Sequence, residues 1–435
     1  MSAAHGNVAF VRHCYYYPYE LKVKREADAL QASGFQSHVI CLRDHDEPAR
    51  EVIDGVRVYR LPVRHRRGRI LRYLYEYNAF FMLASILLMW LHVRHRLRVV
   101  QVHTMPDYLV FCALVPRLTG SRVVLHLHEP MPELFGTMFR RWYLVPFVSL
   151  ITFAQRVSIA FADRATTVTR EMKDAFASHG SNVGKVTVVL NVPDDRLFRL
   201  DLYEHLRARV AAVKAEDRRR GVIRIFTHGA IEERYGNDTI VRALPRLCEE
   251  FPGVQFRFLG KGGYLDELLA LASDLGVRDR VHYLGFVPFD QMVEEILAAD
   301  VCIVAQKRNP YSDLVHTNKM FEYMALERPV VASRLASTAS YFPDDAVAYY
   351  DPDNPADLAS RIAAVVKDPA ATSVRIEAAT RCYHQHRWEN ERKKYLGVYE
   401  ELLGRPLTPV APRTNELSDP KPDAPARRKP RRSAA

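Results

Sequence analysis

The sequence predicts an α/β protein of two doubly wound parallel-sheet domains. Three observations carry this. The chain has 435 residues, too many for one ordinary core and suited to two domains of roughly 180 residues each. Short apolar, β-branched runs alternate with amphipathic stretches of helical length, the grammar of βαβ units. That alternation occurs in two sets, separated by a strongly charged span, as expected for two doubly wound domains.

The first set places strands at NVAFVRH, SHVICLRD, RVVQVH, RVVLHLHE, RATTV and KVTVVLN, with a helix at KVKREADALQASG. The second places strands at IRIFTHG, VQFRFLG, RVHYLG, VCIVAQ and RPVVAS. Its helices are NDTIVRALPRLCEEFPG, YLDELLALASDLG and FDQMVEEILAAD. The expected domains are 1–198 and 222–387, joined by a charged, mostly helical linker over 199–221. A last helix follows over 388–406, and 407–435 is Pro-, Ala- and Arg-rich, so a disordered basic tail is expected there.

Apolar residues make up 48 % and charged residues 26 % of the chain, a globular balance. The net charge of +11 suits nucleic acid, anionic lipid or phosphorylated substrates, and the total does not choose among them. No nucleic-acid recognition motif is present, so no nucleic-acid partner is expected. The six cysteines form no CxxC pair, which points away from zinc and disulfide frameworks. The first residues, MSAAHGNVAFVRHCYYYP, show no basic n-region followed by an apolar core. The expectation is a reduced, cytoplasmic protein.

AFFMLASILLMWL, residues 79–91, is apolar but at 13 residues shorter than a span, which needs about 20. RHRRGRILR precedes it and HVRHRLR follows it. An apolar helix between basic clusters suits contact with anionic headgroups through 64–98. It equally suits a buried helix with solvated basic ends. The second apolar stretch, WYLVPFVSLITFAQRVSIAFA, reads as a core or interfacial helix.

No GxGxxG follows the first strand and no GxxxxGK[ST] occurs, which disfavours dinucleotide dehydrogenases and P-loop enzymes. Three other loops suit phosphate. Gly229 follows a strand, with Arg234 and Gly236 ahead of a helix. Glycine admits close approach, and a helix start and a guanidinium receive phosphate oxygens. Gly260, Lys261, Gly262 and Gly263 repeat the arrangement. In HTNKMFEYMALERP, Thr317 is the expected N-cap, with Asn318 and Lys319 at the helix start. Glu322 lies one turn on, among apolar neighbours. A Lys319–Glu322 pair would contribute only about 0.2–0.5 kcal/mol, too little to offset burying a carboxylate. A ligand with adjacent hydroxyls, such as ribose, would satisfy both carboxylate oxygens.

Together FTHGAIEERYG, FRFLGKGG, VHYLGFVPFDQMVEEILAADVCIVA and NKMFEYMALERPVVAS resemble the GT-B glycosyltransferases of family 4. YYYPYELKVKREADALQASGFQSHVICL, VVQVHTMPDYLVFCALVPRLTGSRVVLHLHEPMPE and KVTVVLNVPDDRLF resemble the family's first domain. The resemblance implies two Rossmann-like domains facing a cleft in the GT-B arrangement, and retaining transfer of a sugar from a nucleoside-diphosphate sugar to an acceptor hydroxyl. It implies a part in polysaccharide, glycolipid or other glycoconjugate biosynthesis. By position, Glu322 matches the carboxylate that holds the donor ribose, and Asn318 and Lys319 match the helix start at the diphosphate. Arg234 matches the cation that steadies the leaving group, with Gly229 and Gly260 in the donor loops. His128 and Glu129 match the HE motif facing sugar and acceptor. Tyr17, His103 and Asp313 are the acceptor-side candidates. The last helix is expected to cross back onto the first domain.

The chain departs from the family pattern in places. Eight residues before Glu322, where many members carry Glu, stands Leu314, beside Asp313. Arg328 replaces the glycine before PVVAS, and Ala230 replaces an Arg after Gly229. No DxD motif lies in a suitable loop, so no metal or other cofactor is expected. The expected partners are a nucleotide-sugar donor, a lipid-linked or saccharide acceptor, and an anionic membrane at the cytoplasmic face. The departures leave one alternative: a catalytically weakened nucleotide-sugar-binding scaffold subunit of a polysaccharide assembly complex.

Overall fold

The computed structural model describes residues 5–14, 21–44, 47–64, 70–138 and 145–407. The proposed tail beyond Leu407, Tyr17, and part of the basic cluster before residue 70 lie outside the described residues.

The first sheet contains β1 (Gly6–Arg12), β2 (Phe35–Leu42), β3 (Arg50–Ile53), β4 (Val56–Leu61), β5 (Leu97–His103), β6 (Arg122–Leu127), β7 (Arg164–Thr167) and β8 (Val186–Val188). Their order is β3-β4-β2-β1-β5-β6-β7-β8. All neighbours are parallel except the β3–β4 hairpin. The second sheet contains β9 (Ile223–His228), β10 (Val254–Leu259), β11 (Val281–Tyr283), β12 (Val301–Val304), β13 (Val330–Ser333) and β14 (Ala348–Tyr350). Its order is β11-β10-β9-β12-β13-β14, parallel throughout. Helices cover both faces, so the central strands are buried on both sides and read as unbroken apolar runs. Val8, Ala9, Phe10 and Val11 of β1 are all wholly buried.

Strand order reverses twice, between β1 and β5 and between β9 and β12. At such a switch point the connections leave on opposite faces and a crevice opens beyond the carboxyl ends. The register sets Arg12 beside His103 and His103 beside His126, so basic and imidazole side chains gather at the first crevice.

Two sequence expectations differ from the structure. The apolar helix expected over 79–91 runs from Ile70 to His95, and its stretch Arg72–His95 is long and apolar enough to cross a membrane by length and composition. Its inner face, Phe80, Ala84, Leu88 and Leu91, is wholly buried in the first core. The charged span 199–221 packs as part of the second domain. Tyr203 and Leu206 enter that domain's core, and Asp217 pairs with Arg224 of β9. Arg328, in place of glycine, donates to the carbonyls of Leu326 and Leu297 while Glu327 takes the left-handed turn.

The last helix, Trp388–Leu403, lies on the first domain. Buried Glu391 accepts the Leu190 N–H at 2.8 Å. Further contacts join the domains: Thr169 donates to the Leu314 carbonyl at 2.6 Å, and the Arg170 N–H donates to the Tyr341 hydroxyl at 2.6 Å.

Candidate active site

Between the carboxyl ends of the two sheets lies a cleft of about 570 Å³. One wall carries Arg12, Lys22, Arg25, His128 and Glu129; the other carries His228, Gly229, Tyr235, Tyr311, Thr317, Asn318, Lys319 and Glu322.

Glu322 sits on the helix Asn318–Ala325. Its Oε2 is 2.8 Å from His228 Nε2, and His228 Nδ1 is 2.9 Å from the Tyr323 hydroxyl. Burial pushes the Tyr323 hydroxyl well up, so it stays a donor. His228 therefore accepts from Tyr323 at Nδ1 and donates to Glu322 at Nε2. The other carboxylate oxygen, Oε1, has no hydrogen bond among the described residues. The sequence reading had both oxygens meeting a ligand. The structure leaves one, because β9 ends on a histidine that takes the other.

Thr317 has extended N-cap geometry, but its hydroxyl caps nothing and is buried without a partner among the described residues. The helix start thus keeps unpaired N–H groups and a hydroxyl together at the cleft. Lys319 Nζ lies 4.8 Å from the Tyr235 ring centre. Burial lowers its amine to about 8, opposed by Glu322. Gly229, at φ +114°, passes so close that a Cβ there would stand 2.9 Å from Lys319 Cε. Gly260 is not on the cleft wall. A Cβ on it would stand 1.7 Å from the Gly229 carbonyl oxygen, so it supports the Gly229 loop from behind. Arg234 also stands back from the wall, 5.1 Å and 5.8 Å from the ring centres of Tyr235 and Tyr311.

On the facing wall, Glu129 Oε2 accepts the Tyr311 hydroxyl at 2.6 Å. Burial raises the Glu129 carboxyl and outweighs that hydrogen bond. Burial, with Arg12 and Lys22 nearby, holds the His128 imidazole well below its ordinary range. His103, read from sequence as acceptor-side, is wholly buried behind His128, its Nδ1 2.9 Å from His128 Nε2. Asp313 is off the wall; its Oδ1 accepts the Ala336 N–H at 3.1 Å.

Among the described residues, Glu26, His103 and His126 form a group whose donor atoms lie within 4.8 Å of one another, close enough to share an ion. Between two of those donors stands the Gln101 amide nitrogen, 2.7 Å from Glu26 and 3.0 Å from His103. The group is accordingly a hydrogen-bond network.

The comparisons agree with this architecture. Residues 20–192 match the family described as "Glycosyl transferase 4-like domain", and residues 223–368 match "Glycosyl transferases group 1". The chain belongs to the group 1 glycosyltransferases. This glycosyltransferase is 28 % identical over 266 residues to the D-inositol 3-phosphate glycosyltransferase of Acidothermus cellulolyticus, covering 59 % of this chain and 57 % of that one. Its fold is similar to sucrose-phosphate synthase from Thermosynechococcus elongatus, with TM-score 0.73 and 16 % identity over 92 % of this chain and 99 % of that one. It is similar to Anabaena HepE in complex with UDP and glucose, with TM-score 0.67 and 15 % identity over 92 % and 100 %. These structural likenesses establish the GT-B fold.

His228 and Tyr311 were missed by sequence reasoning. His228 had one signal, a histidine at a strand end directly before a cleft glycine. Lys22 and Arg25 also had one: two basic residues three apart early in a helix, buried here at 6 % and 3 % exposure.

Proposed function

We propose that this glycosyltransferase moves a sugar from a nucleoside diphosphate to an acceptor hydroxyl, with retention at the anomeric carbon. One observation carries the reading: the Glu322 oxygen left over by His228 lies one turn from a helix start that presents an unused hydroxyl and Lys319. A ribose hydroxyl donates to the first, and a diphosphate accepts from the second. The HepE structure holding UDP and glucose shares this fold, which supports a nucleotide donor. As the diphosphate leaves, Lys319 and the helix start stabilise its growing charge. Arg234, behind the wall against Tyr235 and Tyr311, adds to the positive field there. This assigns the charge stabilisation to protein cations, with no metal. Retention rests on the family resemblance.

The acceptor reading is a lipid-linked or saccharide acceptor met at an anionic membrane surface, with the protein peripheral at the cytoplasmic face. Two helices support it. Ile70–His95 exposes Met82, Ile86, Met89 and Val93, and Val145–Phe161 exposes Phe147, Leu150 and Phe153. Both pack against the short helix Asp107–Ala113; exposed Arg94 and Arg156 lie on the two helices themselves, and exposed Arg96 and Arg98 directly follow the first. Exposed apolar stripes with basic flanks suit headgroup contact.

The test is binding and slow hydrolysis across UDP-, GDP- and ADP-sugars, for the wild type and Glu322→Ala. One donor bound and hydrolysed, with both lost in the variant, supports the reading. Binding without turnover in any acceptor screen favours the weakened-subunit alternative that Leu314 motivates. No binding to any donor removes the ribose assignment.

A further inference from the structure

Behind His128 runs a chain of polar side chains that sugar transfer as described leaves unused. It begins on the last helix. Tyr395 and Tyr399 both donate their hydroxyls to Gln101 Oε1, the first at 2.8 Å. Burial pushes both phenols up, so both remain donors. A neutral phenol can donate or accept, so the two hydroxyls fit the oxygen end and the carboxylate at the other end decides the orientation. Gln101 Nε2 then faces Glu26 Oε2 at 2.7 Å and His103 Nε2 at 3.0 Å. The reversed amide would set its oxygen against the Glu26 carboxylate, two acceptors with no hydrogen between them.

The consequence passes from ring to ring. Gln101 has two amide hydrogens and gives one to Glu26 and one to His103. His103 Nε2 is thus an acceptor, and its ring hydrogen sits on Nδ1. That Nδ1 lies 2.9 Å from His128 Nε2, so it donates there. His128 Nε2 accepts, and its own ring hydrogen sits on Nδ1. Burial holds both imidazoles well below their ordinary range, so each carries one ring hydrogen near neutral pH. The competing arrangement has His103 Nε2 donating to Glu26 across 3.4 Å. That is long for a charge-assisted bond, and it reverses both rings.

We infer that Gln101, held by Tyr395 and Tyr399, is a positioning residue that acts through His103 to fix His128 as the Nδ1–H tautomer. His128 then meets the sugar or acceptor as a hydrogen-bond donor, not as a base. This last step rests on the transfer reading; the tautomer does not. The crossover helix thereby helps set the chemistry of a residue on the cleft wall, in addition to packing on the first domain. A wrong tautomer at a catalytic imidazole costs orders of magnitude in rate without displacing a single heavy atom.

The test is a long-range 1H–15N correlation on the full-length, ligand-free protein labelled with 15N-histidine. His103→Gln and His128→Gln variants assign the signals. The expected result is a hydrogen on Nδ1 and a bare Nε2 for both rings. A hydrogen on His128 Nε2 overturns the proposal, with or without any donor bound. Gln101→Leu removes the amide, leaving Glu26 as the partner of His103 Nε2. Both tautomers should invert, and kcat of transfer should fall roughly 100-fold while the donor KM holds, since the donor carboxylate is on the other wall. An unchanged tautomer in the variant overturns the role of Gln101. Inversion with kcat intact overturns the donor role of His128. Should Gln101→Leu fail to fold, the wild-type tautomers alone decide the assignment.

Discussion

Tyr311 of the second domain donates its hydroxyl to the Glu129 carboxylate of the first, at 2.6 Å across the cleft. The contact holds the two walls together in the described arrangement. It also gives a buried carboxylate a donor. Tyr311→Phe removes that donor and leaves Glu129 only the fields of Arg12, Arg234 and Lys22, which costs about 2 kcal/mol. The expected loss in kcat/KM of transfer is roughly thirtyfold. Small-angle scattering should show a larger mean radius for the variant, as the cleft opens. Unchanged kinetics and radius would mark the contact as incidental.

Glu322 offers one oxygen to a ligand and gives the other to His228. Glu322→Ala should weaken donor binding by about 1.5–3 kcal/mol, read as roughly a 10- to 150-fold rise in Kd by calorimetry. His228→Phe should weaken it less, because the carboxylate stays and loses only its brace. Equal losses in the two variants would mean that His228 itself touches the donor.

The doubly wound sheets were legible in the sequence for a physical reason. Strands buried on both faces, such as β1 and β12, read as unbroken apolar runs, and no polar alternation disguises them. Glu322 was legible because a carboxylate inside an apolar helix has an evident cost. His228 and Tyr311 were not, since their roles depend on which strand ends meet across the cleft. His103 was misplaced because a strand-end histidine reads the same whether it lines a cleft or backs one. The span 199–221 reads as linker by its charge. Its attachment combines Tyr203 and Leu206 in the core with ion pairs of Arg209, Lys214 and Asp217, a mix that leaves no apolar period in the sequence.

Gly229 and Gly260 should separate by their readouts. Gly229→Ala places a methyl 2.9 Å from Lys319 Cε, and a flexible side chain can yield. At φ +114° any Cβ is also strained, by about 1–3 kcal/mol, so the variant should lose donor affinity and fall modestly in Tm. Gly260→Ala sets its methyl against the Gly229 carbonyl at 1.7 Å, and backbone must move. That clash adds about 1–3 kcal/mol to the strain of its own positive φ, so Tm should fall further than in Gly229→Ala. Thermal melts with and without nucleotide sugar distinguish them; a stable Gly260→Ala protein would show that the loop has slack.

The apolar stripe on the helix Val145–Phe161 is testable without touching the cleft. Phe147, Leu150 and Phe153 are each more than half exposed. Replacing all three by Ser should abolish flotation with vesicles containing anionic lipid, while hydrolysis of the soluble donor stays unchanged. Vesicles without anionic lipid should bind the wild type weakly, because the arginine flanks add attraction only to anionic headgroups. Equal flotation of variant and wild type would remove this helix from the membrane reading.

Lys319 gives donor binding a pH signature. Burial lowers its amine from the usual 10.5 to about 8 in the ligand-free protein, with Glu322 opposing the shift. The sign follows from the folded value lying below the unfolded one. Below about pH 8 the amine is charged and the folded state carries the full desolvation cost; the cost fades as pH rises from 8 toward 10.5. A diphosphate in contact favours the charged form and raises the value again. A nucleotide sugar should therefore bind with no proton uptake near pH 6.5 and with uptake of about half a proton at pH 8, where the free amine is half charged. Its affinity should fall as pH climbs through that range. Calorimetry in two buffers of different ionisation heat measures the uptake directly. Lys319→Met should bind more weakly at every pH and show no uptake. If uptake at pH 8 persists in Lys319→Met, another group carries the linkage and the diphosphate does not sit at this helix start.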